Sequence, residues 1–257
     1  CLSKFSTFGI FLVSGLTLRS GDLGAAAVAW PVGVFGLGSI LLFTPFFSRL
    51  VLQIKLQPQE FVTGLAIFNC MPTSLSSGVA LTQLAGGNSA LALAMTIASN
   101  LLGVLIVLRE SIKALAGLVD SNRKIMTLIS ALCLSLVPWI QVSKSRSLLL
   151  MVKPEIFLAV VAMGLFLHVI LLGFNTLAAF TLSSISGGSK SIFADKKNFV
   201  ALVLVASQKT LPVTVAMMEG LVGAFGELGL LVLPCVAAHL NQIIIDSFLV
   251  SLWNRSG

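Results

Sequence analysis

Eight long apolar stretches, separated by short polar breaks, carry the sequence from one end to the other. They cover roughly residues 5–17 (short), 23–48, 60–84, 88–108, 125–143, 155–182, 198–218 and 221–252. A helix needs about 20 apolar residues to cross the hydrocarbon of a bilayer, and most of these runs are of that order. They are too long for strands, and none alternates apolar and polar positions as a membrane barrel does. The pattern predicts an all-α integral membrane protein. The breaks, among them Arg19 to Asp22, Lys55 to Glu60, Gly86-Gly87-Asn88, Lys144 to Lys153 and Ser183 to Lys197, are too short to hold a soluble domain. Segment 109–124 reads as a helix end followed by a basic loop.

Composition points the same way. The 257 residues are 57% hydrophobic and only 10% charged, against about 25% charged in soluble chains. This excludes a cytosolic enzyme, a secreted disulfide scaffold and a disordered regulator. The excess of 16 Lys+Arg over 9 Asp+Glu fits basic loops flanking membrane helices. One side of the bundle would carry most of it, including Arg109, Lys113, Arg123, Lys124, Lys190, Lys196 and Lys197, and that side is expected to be cytoplasmic or its organellar equivalent. Nucleic-acid binding has no support, because the basic residues are not interleaved with aromatics. Cys70, Cys133 and Cys235 sit in apolar runs as small hydrophobes, with no C-x-x-C pair. The first residue is Cys1 rather than Met, as expected of a processed chain or a fragment.

Two spans depart from plain lipid-facing helices. In 60–84, the run Asn69-Cys70-Met71-Pro72-Thr73-Ser74-Leu75-Ser76-Ser77-Gly78 places a proline and several hydroxyls where apolar bulk is expected. In 198–218, Ser207-Gln208-Lys209-Thr210-Leu211-Pro212 does the same and adds a charge. A mid-membrane proline frees a carbonyl that hydroxyls or a cavity must satisfy. Each broken span leads through a Gly-containing turn to a helix with polar groups: Thr96, Ser99 and Asn100 in one, His239, Asn241 and Gln242 in the other. Two such units in corresponding halves are a transporter signature, because free carbonyls and half-helix ends bind ions and polar solutes.

At these units the sequence resembles the bile acid:sodium symporter (BASS) superfamily, in its SBF-like branch, and looks closest to plant plastid-envelope sodium/metabolite cotransporters. The matching stretches are Ser14-Gly15-Leu16-Thr17-Leu18, the run from Cys70 to Asn100 through Gly86-Gly87-Asn88, and Ser207 to Pro212. The resemblance implies an inverted-repeat secondary-transporter fold of ten helices. The third to fifth and eighth to tenth form a core, the others a panel, and solute and ions bind where the broken fourth and ninth helices cross. Mapped onto this chain, residues 1–22 are a partial panel holding the second family helix. Residues 23–108 are the first-repeat core helices, 109–143 a partial panel with the tail of the sixth helix and the seventh, and 144–257 the second-repeat core helices. About eight of ten helices are then present, as expected of a truncated or alternatively spliced product.

The resemblance also implies sodium sites built from a Ser-Asn pair after the fourth-helix proline and from a Glu four residues before a ninth-helix Gln. Gln208 matches that Gln, but Leu204 stands where the Glu would be, and Gly78 and Val79 stand near the Asn. Ser76, Ser77, Thr96 and Asn100 then offer only neutral oxygens, so sodium coupling is not simply carried over.

The candidate binding residues are therefore Ser76, Ser77, Thr96, Asn100, Gln208, Lys209 and His239, with Pro72 and Pro212 as helix breakers. Lys209 is the sharpest. A lysine at a helix centre costs about 2.5–3.5 kcal/mol on insertion scales and such residues usually face a cavity or a partner. Its ammonium either replaces a bound cation as a tethered charge or holds the carboxylate of an organic anion. His168 reads as a hydrogen-bonder within the bundle, Glu219 and Glu227 as interfacial, and Asp246 as pointing toward the loop side. No His-Glu-x-x-His, phosphate loop or dinucleotide fingerprint is present, so no enzyme, cofactor or bound metal is expected, with Na⁺ or a proton as the candidate coupling ion. The expected function is alternating-access transport of an organic anion or small metabolite, in the chloroplast envelope of a plant or otherwise a plasma membrane. The alternative is a non-transporting regulator of ion (calcium) homeostasis. The partners are the lipid bilayer and the solute.

Overall fold

The computed structural model describes residues 27–74, 77–100, 143, 152–220 and 226–255. The expected span 5–17, nearly all of 125–143, segment 109–124 and the candidate Ser76 lie outside the described residues, which contain helices and no strands. The helices are α1 (Trp30–Val51), α2 (Gln59–Cys70), α3 (Ser77–Leu84), α4 (Ser89–Asn100), α5 (Pro154–Ile185), α6 (Lys196–Ser207), α7 (Leu211–Gly220) and α8 (Leu228–Arg255). Among the described residues, four stretches are long and apolar enough to cross a membrane: α1, α5, α8 and the α6–α7 stretch Lys196–Glu219.

Local chemistry sets the ends. Pro154 begins α5 in its first turn, where its missing N–H has no partner to lose. Asp195 caps α6 by accepting the Asn198 N–H (3.0 Å), and Asn88 caps α4 by accepting that of Leu91 (3.0 Å). The same Asn88 donates to Asn198 Oδ1 (2.7 Å), tying the two capped ends together. Gly86 turns the chain between α3 and α4 with φ +67°, a conformation that costs glycine little.

Helix α6 is the central pillar, buried continuously from Val200 to Ser207. One apolar core joins α2, α5, α7 and α8 through Phe61, Leu65, Val160, Val215, Met218 and Leu231. A second joins α1, α4 and α6 through Val32, Ile40, Leu91, Met95, Leu202 and Val205. Outward, α5 shows Leu158, Phe166, Leu177 and Phe180, while α8 shows Leu240, Ile244 and Phe248. These apolar faces suit hydrocarbon, and they flank the buried stretch of α6.

Helix α2 meets α8 at backbone distance. A Cβ on Gly64 would lie 2.1 Å from the Leu231 carbonyl oxygen, so only glycine fits this approach. Close helix contact through small residues is the usual packing mode in lipid.

The crossing of the two broken helices

Both broken spans break where the sequence placed them. Helix α2 ends at Cys70, and Met71 turns extended (ψ 155°) ahead of Pro72. Helix α6 ends at Ser207, and Gln208 turns extended (φ −82°, ψ 154°) before α7 begins at Leu211, with Pro212 in its first turn. The two extended segments touch. The Thr210 N–H donates to the Pro72 carbonyl (3.0 Å), and Thr73 Oγ1 donates to the Val205 carbonyl (2.5 Å). Backbone groups freed by one break are thus answered by the other, as a buried position requires.

The last helix serves the same break. Gln242 Oε1 accepts the Lys209 N–H (3.1 Å), and His239 Nδ1 lies 3.1 Å from the Lys209 carbonyl, which can only accept. His239 and Gln242 therefore hold the main chain at Lys209. Asn241 instead donates to Val161 on α5 (3.2 Å), away from the crossing.

Lys209 is wholly buried. Its ammonium donates to Thr44 Oγ1 (2.6 Å), the Met71 carbonyl (2.9 Å) and the Ile40 carbonyl (3.5 Å). Among the described residues no carboxylate lies within ion-pair distance of it; Asp246 is paired with His168 instead. Three oxygens, one for each N–H donor of an ammonium, surround the nitrogen in this conformation.

The Ile40 carbonyl is available for a local reason. Residues Ser39–Phe43 form a π-turn, and the Thr44 N–H reaches back five residues to Ser39. In that register the next donor would be Pro45, which has no N–H. The carbonyl of Ile40 instead accepts from Thr44 Oγ1 (2.6 Å) and from Lys209. The Thr44-Pro45 pair was a legible signal that the sequence reading passed over.

On the other side of the break runs a second buried chain. Ser77 donates to Gln208 Oε1 (2.8 Å) and lies 2.7 Å from Ser74 Oγ. Gln208 Nε2 donates to Asp246 Oδ2 (2.6 Å), and Asp246 Oδ1 faces His168 Nε2 (2.8 Å). His168 Nδ1 lies 3.3 Å from the Ser207 carbonyl. Asn175 joins the chain by donating to Ser207 Oγ (3.0 Å) and accepting from Ser39 Oγ (2.7 Å). Two expectations change here. Asp246 does not point toward the loop side: it is fully buried, because His168 and Gln208 satisfy its carboxylate. The crossing also does not hold neutral oxygens alone. An acid stands against Gln208 after all, brought from α8 and not from position 204.

The remaining candidates divide. Asn100 joins the first break, donating to the Thr73 carbonyl (3.2 Å), and its Oδ1 is buried without a hydrogen-bond partner. Thr96, Thr82 and Ser99 turn their hydroxyls back onto their own helices, at Ala92, Gly78 and Thr96 respectively.

An all-helical membrane core whose two broken helices meet at a buried polar cluster defines the class of secondary-transporter folds. The sequence profile of the SBF-like CPA transporter family matches residues 2–109 and 106–255, and the chain belongs to that family. It is 57% identical over 293 aligned residues to a probable chloroplastic sodium/metabolite cotransporter, BASS4, of Arabidopsis thaliana, covering 99% of this chain and 66% of that protein. It is 54% identical to the protein of the same name from Oryza sativa subsp. indica, covering 99% and 69%. Sodium/bile acid cotransporter 7 of Xenopus tropicalis is 25% identical, covering 97% and 81%. The chain thus spans about two thirds of the length of the plant relatives it matches. These relatives are named as transporters, not as enzymes.

Proposed function

We propose that this chain carries the working core of a membrane transporter that moves an organic anion or small metabolite by alternating access at the crossing. The observation that carries the reading is the crossing itself. Two helices unwind in the membrane at the same point, side chains from α4, α5 and α8 converge on the freed backbone, and Lys209 reaches from it to α1. A lipid-exposed helix would not be interrupted at this cost. Interruption is sustained where the backbone must bind and release something.

Names of the plant relatives support a sodium/metabolite cotransporter of the chloroplast envelope. The buried, unpartnered Asn100 Oδ1 beside the first break supports a place for a coupling ion or a polar group of the solute. Regulation of ion homeostasis without transport is the less favoured alternative, since the relatives are named as cotransporters.

Uptake into proteoliposomes tests the proposal. The full chain is reconstituted and offered ¹⁴C-labelled mono- and dicarboxylates, with and without inward Na⁺ or proton gradients. At least one solute should enter faster than into protein-free vesicles, and Asn100→Leu should slow it. Equal uptake by protein-containing and empty vesicles for the whole panel would sink the reading.

A further inference from the structure

We propose that the Lys209 ammonium is a covalently tethered monovalent cation, occupying an oxygen cage that takes a free monovalent cation when the side chain is removed. The cage is Thr44 Oγ1, the Met71 carbonyl and the Ile40 carbonyl, at 2.6, 2.9 and 3.5 Å from Nζ. Every one of these oxygens turns a lone pair toward the nitrogen. The Thr44 hydroxyl spends its own hydrogen on Ile40, so it can only accept from Lys209. Carbonyl and hydroxyl oxygens gathered in this way are the donor set with which proteins replace the hydration shell of an alkali cation.

The cage is built independently of the lysine. The Ile40 carbonyl is released by the π-turn and by the absent N–H of Pro45, and the Met71 carbonyl by the extended step before Pro72. Asn69 holds the Thr44 carbonyl (2.7 Å), fixing α1 against α2 at this level. The lysine enters from the other broken helix, with its main chain pinned by Gln242 and His239. No acid answers the charge within ion-pair distance among the described residues. A salt bridge therefore does not explain why a cation is buried here, and the three oxygens do.

The consequence is that this position needs no dissolved ion: charge and cage are joined permanently. That role in the transport cycle rests on the transporter reading, whereas the occupancy of the cage does not. The test separates the two, because it measures binding and needs no solute.

The purified full chain is melted in detergent in choline chloride, and then with choline replaced by Na⁺, K⁺ or n-propylammonium at constant ionic strength. Propylammonium reproduces the atoms that Lys209→Ala deletes. The wild type should show at most the response of a coupling ion bound elsewhere at the crossing, and that response is the baseline against which each variant is read. Lys209→Ala should gain melting temperature saturably with at least one small cation, following the logarithm of cation concentration over Kd as a single-site ligand does. Lys209→Met, whose stem refills the space, should not respond. Equilibrium binding of ²²Na⁺ should show one additional site in Lys209→Ala if Na⁺ is the responding ion.

Equal responses in the wild type and Lys209→Ala would overturn the proposal, as would the absence of any response in Lys209→Ala. Should Lys209→Ala not survive solubilisation in choline, its recovery with small cations in the extraction buffer becomes the readout, and failure in all of them counts against the cage. A chain that shows this pattern yet moves no carboxylate in vesicles would refute the transport reading and leave the cage standing.

Discussion

Replacing Asp246 by leucine tests whether a buried acid holds the crossing together. The carboxylate accepts from Gln208 Nε2 at 2.6 Å and faces His168 Nε2 at 2.8 Å, and neither member of the His–Asp pair reaches solvent. Leucine is of similar size and accepts nothing, so both partners are left without it in an apolar interior. Each such group costs about 1–3 kcal/mol, and removal of one member of a buried pair costs about 3–5 kcal/mol. Asparagine is the control. Its carbonyl can accept from Gln208 and its amide can donate to an unprotonated His168 Nε2, so it should cost under about 1.5 kcal/mol. The readout is a fluorescence melt in detergent, using the 3 tryptophans of the chain. At about 2–4 °C per kcal/mol for a chain of this size, Asp246→Leu should melt roughly 6–20 °C below the wild type. Asp246→Asn should stay close to the wild type. A leucine variant within about 2 °C of the wild type, less than the smallest shift expected, would refute the reasoning. So would an asparagine variant that falls as far as leucine.

Three further perturbations follow from the packing. Gly64→Ala drives a methyl to 2.1 Å from the Leu231 carbonyl and should destabilise the α2–α8 contact by about 1–3 kcal/mol, read as a lower melting temperature. Thr44→Val removes the shortest acceptor of the Lys209 ammonium and should cost about 1–3 kcal/mol. In a Lys209→Met background the same change should cost less, with a coupling energy of about 0.5–3 kcal/mol in a double-mutant cycle of melting curves. Asn88→Ala loses both the α4 cap and the bond to Asn198 and should cost about 1 kcal/mol, seen as faster hydrogen exchange in the first turn of α4.

The helical class, the two breaks and the buried lysine were all legible in the sequence, because prolines and charges are conspicuous in apolar runs. Pro72 and Pro212 marked the crossing before any contact was known. The partners were less legible. His168 is the single histidine of α5 and Asp246 the single acid of α8, 78 positions apart, and nothing in either neighbourhood announces the other. Their pairing is a property of how α5 and α8 pack around the break between α6 and α7. Thr44 is different in kind: the Thr-Pro step in α1 foretold a freed carbonyl, but not which side chain would come to meet it. Gln242 was grouped with His239 by proximity alone, and only the fold separates both from Asn241, which faces α5.

The bonds at the break between α6 and α7 explain why an interrupted helix is held this firmly. In a continuous helix the Lys209 and Thr210 N–H groups would reach the Val205 and Ala206 carbonyls. Here they go to Gln242 of α8 and Pro72 of the other break, and Val205 accepts Thr73 instead. Both freed N–H donors and the Val205 carbonyl are therefore re-paired with other elements, and α6–α7 cannot shift against α8 or the first break without exchanging those bonds. The two buried ionisable side chains divide along the same line: Lys209 is bound toward α1 and the first break, Asp246 toward α5 and Gln208. A relative movement of α1 and α5 would thus act on opposite sides of one extended segment. It would pull on the ammonium through Thr44 and on the Ser207 carbonyl through His168. The break is thus tied to α1 through Lys209 and Thr44 and to α5 through His168, so the Thr44 and Lys209 variants cut the first tie and Asp246→Leu removes the partner that holds the His168 ring in the second.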